Sequence, residues 1–271
     1  VRRLTIGYSP CPNDTFIFYG LVHGRIDTGG LEFKETLMDV ETLNQKAFDL
    51  EFDITKVSYH AYLYLKGEYN LLRAGGALGR GCGPLLVAKE SCNVRELRGK
   101  RIAIPGRYTT AFLLLRLYDH ELCINPYIMS FDRIMPAVRN GEVDAGLIIH
   151  EGRFTYPLYG LTEIMDLGRW WEDETGLPIP LGCIIARRSL GDSLIEEVNG
   201  LIRRSLEYSL ANPQEPMGYI KRYSQELSDE VIREHIALYV NDYSIDIGEE
   251  GEMAVRELLH RAEEAGIIRH G

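Results

Sequence analysis

Apolar and polar positions along the first half of the chain fall into blocks whose period switches between two and about 3.6 residues. Leu4-Thr5-Ile6-Gly7-Tyr8 has strand character and runs into Ser9-Pro10-Cys11-Pro12-Asn13-Asp14, a loop stiffened by two prolines. A helix is predicted from Thr15 to about His23, because the prolines argue against helix before Asn13, and Asn13 or Asp14 is a natural N-cap. Leu31-Glu32-Phe33 reads as a strand, Val40 to Phe48 as a helix, Phe52 to Val57 as a strand leading into Ser58, and Tyr59 to Leu65 as a helix. The order then recurs. Arg101 to Gly106 reads as strand and turn, Thr109-Thr110 open an apolar helix from Ala111 to Tyr118, and Ile134 to Arg139 is helical up to Asn140-Gly141. Val143 to Ile149 is a buried strand that ends at His150. Each stretch finishes on a polar residue at a strand's C-terminal end, Ser58 in one and His150 in the other. This weak internal repeat predicts two lobes of similar construction.

Two further strands, Pro84 to Ala88 and Leu181 to Ala186, read as crossings between those lobes. The tail is helical: Leu194 to Leu210 has a helical apolar period and ends at Asn212-Pro213. A second helix starts at the Ser228-Asp229-Glu230 cap, and a third runs from about Glu249 to Ala265 and is closed by Gly266. The expected fold class is α/β. Residues 1–88 with 187–271 form a discontinuous first lobe and 89–186 the second, with ligand groups gathering in a cleft where strand C-termini and helix N-termini converge.

Composition narrows the partners. Of 271 residues, 45% are hydrophobic and 26% charged, and thirty Lys+Arg against forty Asp+Glu give a net charge of −10. With no Lys/Arg cluster to track phosphates, nucleic acid is excluded as a main partner; a small anion needs only a local cradle and is not. The five cysteines are scattered, with no C-x-x-C and no zinc-like spacing. They are expected to be reduced, with neither a metal site nor a disulfide framework. No apolar run reaches the ~18 residues of a membrane span. The chain opens Val1-Arg2-Arg3-Leu4 straight into a strand with no signal-peptide core, which points to a cytoplasmic location.

His150 is the sharpest candidate for chemistry. It follows the apolar run Ala145 to Ile149, so it belongs at the sheet's C-terminal rim, where it is either a general base or a histidine satisfied by backbone. Glu151 either orients the ring or faces solvent. Thr109 and Thr110 offer hydroxyls and first-turn N–H groups to a carboxylate, or simply cap their helix. Ser58, with Lys56 nearby, occupies the matching place in the other lobe. Asn13 and Asp14 are ligand contacts or caps, and Cys11 has no base implied beside it. Gly75-Gly76-Ala77-Leu78-Gly79-Arg80-Gly81-Cys82-Gly83 precedes a strand rather than following one, so it is not a dinucleotide fingerprint. It reads as a flexible or close-packed loop. Trp170-Trp171 reads as aromatic packing.

Several strings in order carry a resemblance: Ser9-Pro-Cys-Pro-Asn-Asp-Thr-Phe-Ile-Phe18, Gly75-Gly-Ala-Leu-Gly-Arg-Gly81, Pro105-Gly-Arg-Tyr-Thr-Thr110, Gly146-Leu-Ile-Ile-His-Glu151, Arg153-Phe-Thr-Tyr156, Leu181-Gly182 and Glu226-Leu-Ser-Asp-Glu230. Together they resemble the 1,4-dihydroxy-6-naphthoate synthase family, lyases of the futalosine route to menaquinone, over nearly the whole chain. The resemblance implies a two-lobed fold of the periplasmic-binding-protein kind (type II), no metal or organic cofactor, and a small carboxylate substrate. It implies conversion of cyclic dehypoxanthinylfutalosine to 1,4-dihydroxy-6-naphthoate and dihydroxyacetone, with His150 as proton acceptor and Lys56, Val57, Ser58, Thr109 and Thr110 at ligand-binding positions. Two rivals share the fold: a chorismate dehydratase of the same pathway, and a non-catalytic small-anion solute-binding protein.

Overall fold

The computed structural model describes residues 2–224 and 228–268, so Glu226 and Leu227 of the last resemblance string lie outside the described residues. In chain order the elements are β1 (Arg2–Tyr8), α1 (Pro12–Val22), β2 (Leu31–Leu37), α2 (Val40–Phe48), β3 (Ile54–Ser58), α3 (Tyr59–Leu65), β4 (Tyr69–Leu71) and β5 (Ala77–Gly79). There follow β6 (Leu85–Ala88), β7 (Ile102–Ile104), α4 (Thr110–Tyr118), β8 (Tyr127–Ile128), α5 (Phe131–Asn140), β9 (Ala145–Ile148), α6 (Gly152–Thr155), β10 (Thr162–Asp166) and α7 (Leu167–Thr175). The chain closes with β11 (Ile179–Arg187), α8 (Asp192–Ala211), α9 (Met217–Tyr223), α10 (Asp229–Tyr239), α11 (Asp242–Ile245) and α12 (Gly248–Glu264).

These elements form two compact units. Unit 1 is the chain up to Gly79 together with Pro180–Glu252; unit 2 is Arg80–Ile179 together with the chain from Met253. The sequence-based division ran through 88 and 187 and kept the whole tail with the first lobe. In the structure β6 hydrogen-bonds into unit 2's sheet, between β10 and β9. The last stretch goes with unit 2, where Arg261 lies over the buried Trp171 ring, 5.6 Å from its centroid.

Each unit has its own sheet, and the two share a plan. In unit 1 the order is β2-β1-β3-β11-β4, with β5 also pairing β11; in unit 2, read from the other edge, it is β8-β7-β9-β6-β10. In both, the first two pairings are parallel and the next two antiparallel. The recurring order seen in the sequence is therefore a repeated topology, in which β3 ending at Ser58 corresponds to β9 leading to His150.

Local chemistry explains the helices. The Asp39 side chain accepts from the N–H groups of Glu41 and Thr42 at the start of α2, and α5 stops at Gly141, whose φ of +78° closes a left-handed cap. In α8 the apolar positions Leu194, Ile195, Val198, Leu201, Ile202 and Leu206 are buried in a core shared with α1 and β1. α1 is buried on nearly every side, so it has no polar stripe to announce it. Its start also differs from expectation. Pro12 sits at the first helical position and Cys11 is the N-cap, because a proline there loses only an N–H that the first turn leaves unpaired. Asn13 and Asp14 lie inside the helix and cap nothing.

The Gly-rich segment is close-packed. A Cβ on Gly75, whose φ is +81°, would lie 2.1 Å from Ile184 Cδ1, and one on Gly83 would lie 2.2 Å from Gly168 Cα. The second clash is of a Cβ against backbone, with no flexible side chain to yield. Gly83→Ala should therefore lower stability by about 1–3 kcal/mol, as overpacking does. The measurement is thermal unfolding, and a melting temperature equal to wild type would contradict this packing.

Candidate functional site

In unit 1 the site is built at the C-terminal ends of β1 and β3. Lys56 lies on β3 with its side chain 5% exposed, and its ammonium needs a partner there. Nζ donates to Asp14 Oδ1 at 2.8 Å and to the Gly75 carbonyl at 3.2 Å. Asp14, 2% exposed, also accepts from Asn13 Nδ2 at 3.0 Å on the same oxygen. On Oδ2 it accepts from Ser9 Oγ at 2.7 Å and Ser9 N at 3.3 Å. Its lone pairs are thus occupied by an ammonium, an amide, a hydroxyl and a backbone N–H. This is the arrangement a buried carboxylate requires. Asn13 extends the network through Oδ1, 3.0 Å from Nε2 of His235 on α10.

The surroundings are shaped for this pair. Gly182 on β11 faces Lys56, and a Cβ there would lie 3.1 Å from Lys56 Cε. Cys183, opposite Val57 in the ladder, has its thiol pushed up by burial although the Lys56 charge works the other way. Val57 is fully buried, so its backbone is what it can offer a ligand. Ser58 precedes α3; its N–H donates to Asn44 Oδ1 at 2.8 Å and its Oγ accepts from Asn44 Nδ2 at 3.1 Å. Asn44 thereby fixes both the backbone and the hydroxyl of Ser58.

In unit 2, Thr109 caps α4: its Oγ1 accepts from Phe112 N at 3.3 Å and donates to the Gly106 carbonyl at 2.9 Å. Thr110 follows as the first helical residue, 3% exposed. His150 leaves β9 with φ +55°. Leu50 is the other described non-glycine residue at positive φ. Leu50 follows α2 as a left-handed helix end, its N–H donating to the Ala47 carbonyl. No helix end accounts for His150, which instead enters a tight turn in which Gly152 N donates to the Ile149 carbonyl at 3.1 Å. Its ring packs edge-on to Phe131, 5.2 Å between centroids at 70°. Arg153 braces the turn, with Nη1 donating to the Gly83 carbonyl at 2.8 Å and Nη2 to Asp166 Oδ2 at 2.7 Å.

Glu151 does not simply face solvent. Burial pushes its carboxyl above the usual range, and Asp132 adds to the rise. Trp171 is fully buried with Nε1 donating to the Pro178 carbonyl, while Trp170 is half-buried against Tyr118. Among the described residues no group of three or more His, Cys, Asp or Glu could hold a metal ion, and no helix is long and apolar enough to cross a membrane.

Reading the sequence missed Ser9, Asn44, Gly75 and His235 as supports. A glycine next to a buried lysine has no local signature, and the His235–Asn13 contact spans 222 positions of chain.

Comparison with known proteins agrees on fold and family. A family model described as menaquinone biosynthesis matches residues 4–264. A Thermus thermophilus protein named 1,4-dihydroxy-6-naphthoate synthase is 53% identical over 98% of this chain and 96% of its own. A crystal structure of a protein from Archaeoglobus fulgidus superposes with a TM-score of 0.93 at 42% identity, covering 98% of both chains. A Candida albicans protein described as having the generic periplasmic-binding-protein fold gives a TM-score of 0.69 at 14% identity, over 100% of this chain and 92% of that one. That last likeness extends the fold beyond recognisable sequence.

Two outcomes are expected. Asp14→Ala strands a buried ammonium and should cost about 3–5 kcal/mol, whereas Asp14→Leu combined with Lys56→Met should recover much of the loss. Denaturant unfolding of the set tests this, and a double variant no more stable than Asp14→Ala would refute it. For Glu151, a raised folded-state pKa means that its proton is held more tightly than in the unfolded chain. That contribution is lost as pH rises through the folded value, so Glu151→Gln should be more stable than wild type at neutral pH. The difference should vanish once pH falls below the ordinary 4.5, where both states carry the proton. Melting curves across pH would expose a gain that fails to fade in acid.

Proposed function

The chain belongs to the menaquinone biosynthesis family, and from that membership we propose that it is a carbon–carbon lyase converting cyclic dehypoxanthinylfutalosine to 1,4-dihydroxy-6-naphthoate and dihydroxyacetone. His150 is the general base: it takes a proton from the sugar-derived part of the substrate, and C–C cleavage with aromatisation of the product ring follows. The observation that carries this role is the left-handed backbone at His150. A β-carbon at that φ costs about 1–2 kcal/mol, and such strain is characteristically retained where it aims a functional group. Arg153, tied to Gly83 and Asp166, supports the turn that holds the ring. The reading invokes no metal or organic cofactor.

Ser58, Thr109 and Thr110 hold polar groups of the carboxylate substrate through hydroxyls and backbone donors, and Val57 contributes its backbone. Lys56, with two N–H groups used on Asp14 and Gly75, has one left for a ligand and otherwise keeps Asp14, Asn13 and the Ser9 loop in register. Ordering of these groups before substrate arrives lowers the entropic part of the barrier.

Mass spectrometry of purified protein incubated with cyclic dehypoxanthinylfutalosine, beside a folded His150→Asn variant, tests the proposal. Wild type should release the naphthoate, and the variant should have kcat reduced by roughly 10²–10⁴-fold, the usual contribution of a general base. Equal turnover would remove His150 from the role. Substrate bound and returned intact by wild type would favour a solute-binding protein instead.

A further inference from the structure

Ser58 ends β3 at the start of α3, is 3% exposed, and makes no side-chain cap to that helix. Its hydroxyl and its backbone N–H both meet one residue, the fully buried Asn44 on α2. The Ser58 N–H donates to Asn44 Oδ1 at 2.8 Å, and a backbone N–H can only donate. The Asn44 amide is therefore held in one orientation, with Nδ2 toward Ser58 Oγ at 3.1 Å. The second Nδ2 hydrogen goes to Glu41 Oε2 at 3.2 Å, so both ends of the amide are fixed. Ser58 Oγ thus accepts from Asn44 and keeps its own proton to give away. Among the described residues no group accepts that proton. A buried donor without an acceptor is costly, and folded proteins seldom keep one without a use. Lys56, two positions earlier, has three N–H groups and no lone pair, so whatever else it meets must accept as well.

From this proton count we infer that Asn44 is a positioning residue that sets Ser58 as a hydrogen-bond donor, so that unit 1 takes a carboxylate oxygen of the substrate. A hydroxyl ordinarily donates or accepts, so serine by itself does not discriminate between ligand groups. Asn44 removes one of the two options. An ammonium, which only donates, is refused at this position, whereas a carboxylate oxygen meets the Ser58 proton in a charge-assisted bond. Glu41 acts one step further back by holding the amide that holds the hydroxyl. The assignment rests on Ser58 touching substrate in the lyase reaction proposed above, and adds to it the polarity of that contact.

The test exchanges the two partners. Glu41→Gln combined with Asn44→Asp keeps the net charge and keeps an oxygen for the Ser58 N–H. The carboxylate now at 44 accepts the Ser58 proton and turns it away from substrate. Steady-state conversion of cyclic dehypoxanthinylfutalosine by the full chain should then show KM raised about tenfold or more with kcat little changed. That split marks loss of a charge-assisted contact made equally in ground and transition states. In a Ser58→Ala background, itself raised in KM, the exchange should add less than about twofold. A general loosening of unit 1 would act with or without the hydroxyl, so this cancellation separates positioning from structure. Should the exchange variant not fold, Asn44→Ala carries the same cycle, with a smaller rise in KM that also cancels in Ser58→Ala. An unchanged KM, or a rise of equal size in both backgrounds, would overturn the assignment alone. Wild type that leaves the substrate unconverted would overturn the lyase reading and this assignment with it.

Discussion

A lysine ammonium held out of water is the constraint around which unit 1 is organised. Lys56 sits in a strand flanked by two others, where its charge would be prohibitive without compensation. Asp14 supplies the opposite charge from the first turn of α1, and the loop before it supplies Ser9 to the second carboxylate oxygen. The Gly75 carbonyl accepts from the ammonium, and a Cβ at Gly182 across the ladder would crowd Lys56 Cε at 3.1 Å. One pair therefore ties the Ser9 loop, the first turn of α1 and the Gly75 carbonyl to the same strand. Such a pair adds little net stability over an apolar substitute, so its value lies in specifying one arrangement of the strand ends.

The repeated sheet plan explains why candidate groups fall where they do. In each unit three parallel strands lead their C-terminal ends to one rim, and the connecting helices start there. The end of the third strand then carries the candidate group: Ser58 in unit 1, and, one residue beyond Ile149, His150 in unit 2. The same scaffold position is treated differently. Ser58 is locked by Asn44 in ordinary extended backbone, whereas His150 is turned into the left-handed region and braced from behind by Arg153.

Much of this was legible in the sequence where the code is local. Val40–Phe48 and Tyr59–Leu65 have the bounds their periodicity predicts, and the Ser228 cap and the Asn140-Gly141 stop are where the helices begin and end. The α1 start was misjudged because proline was weighed as a helix breaker without its tolerance at the first position. β10, α7 and α9 were not anticipated: β10 is a half-exposed strand with a bulge, and α7 carries a tryptophan pair among charges. The end of the tail packs with unit 2, where Arg261 meets Trp171 across positions far apart in sequence.

The candidate site divides along the same line. Residue types at strand ends and helix starts marked His150, Ser58, Thr109 and Thr110, because strand periodicity and capping chemistry both point at those positions. What local pattern could not supply was the difference between a group that faces a ligand and one that holds its neighbour. Asn13 and Asp14 look alike as prospective caps or contacts. Burial resolves them into parts of one hydrogen-bonded relay from Ser9 and Lys56 to His235, formed by residues from the β1–α1 loop, β3, α1 and α10. Each member has its polar atoms engaged by the next, so replacing one changes what all the others can do. A polar residue that every neighbour depends on is chosen by the fold as strictly as one that touches substrate, and only the three-dimensional bonding distinguishes the two.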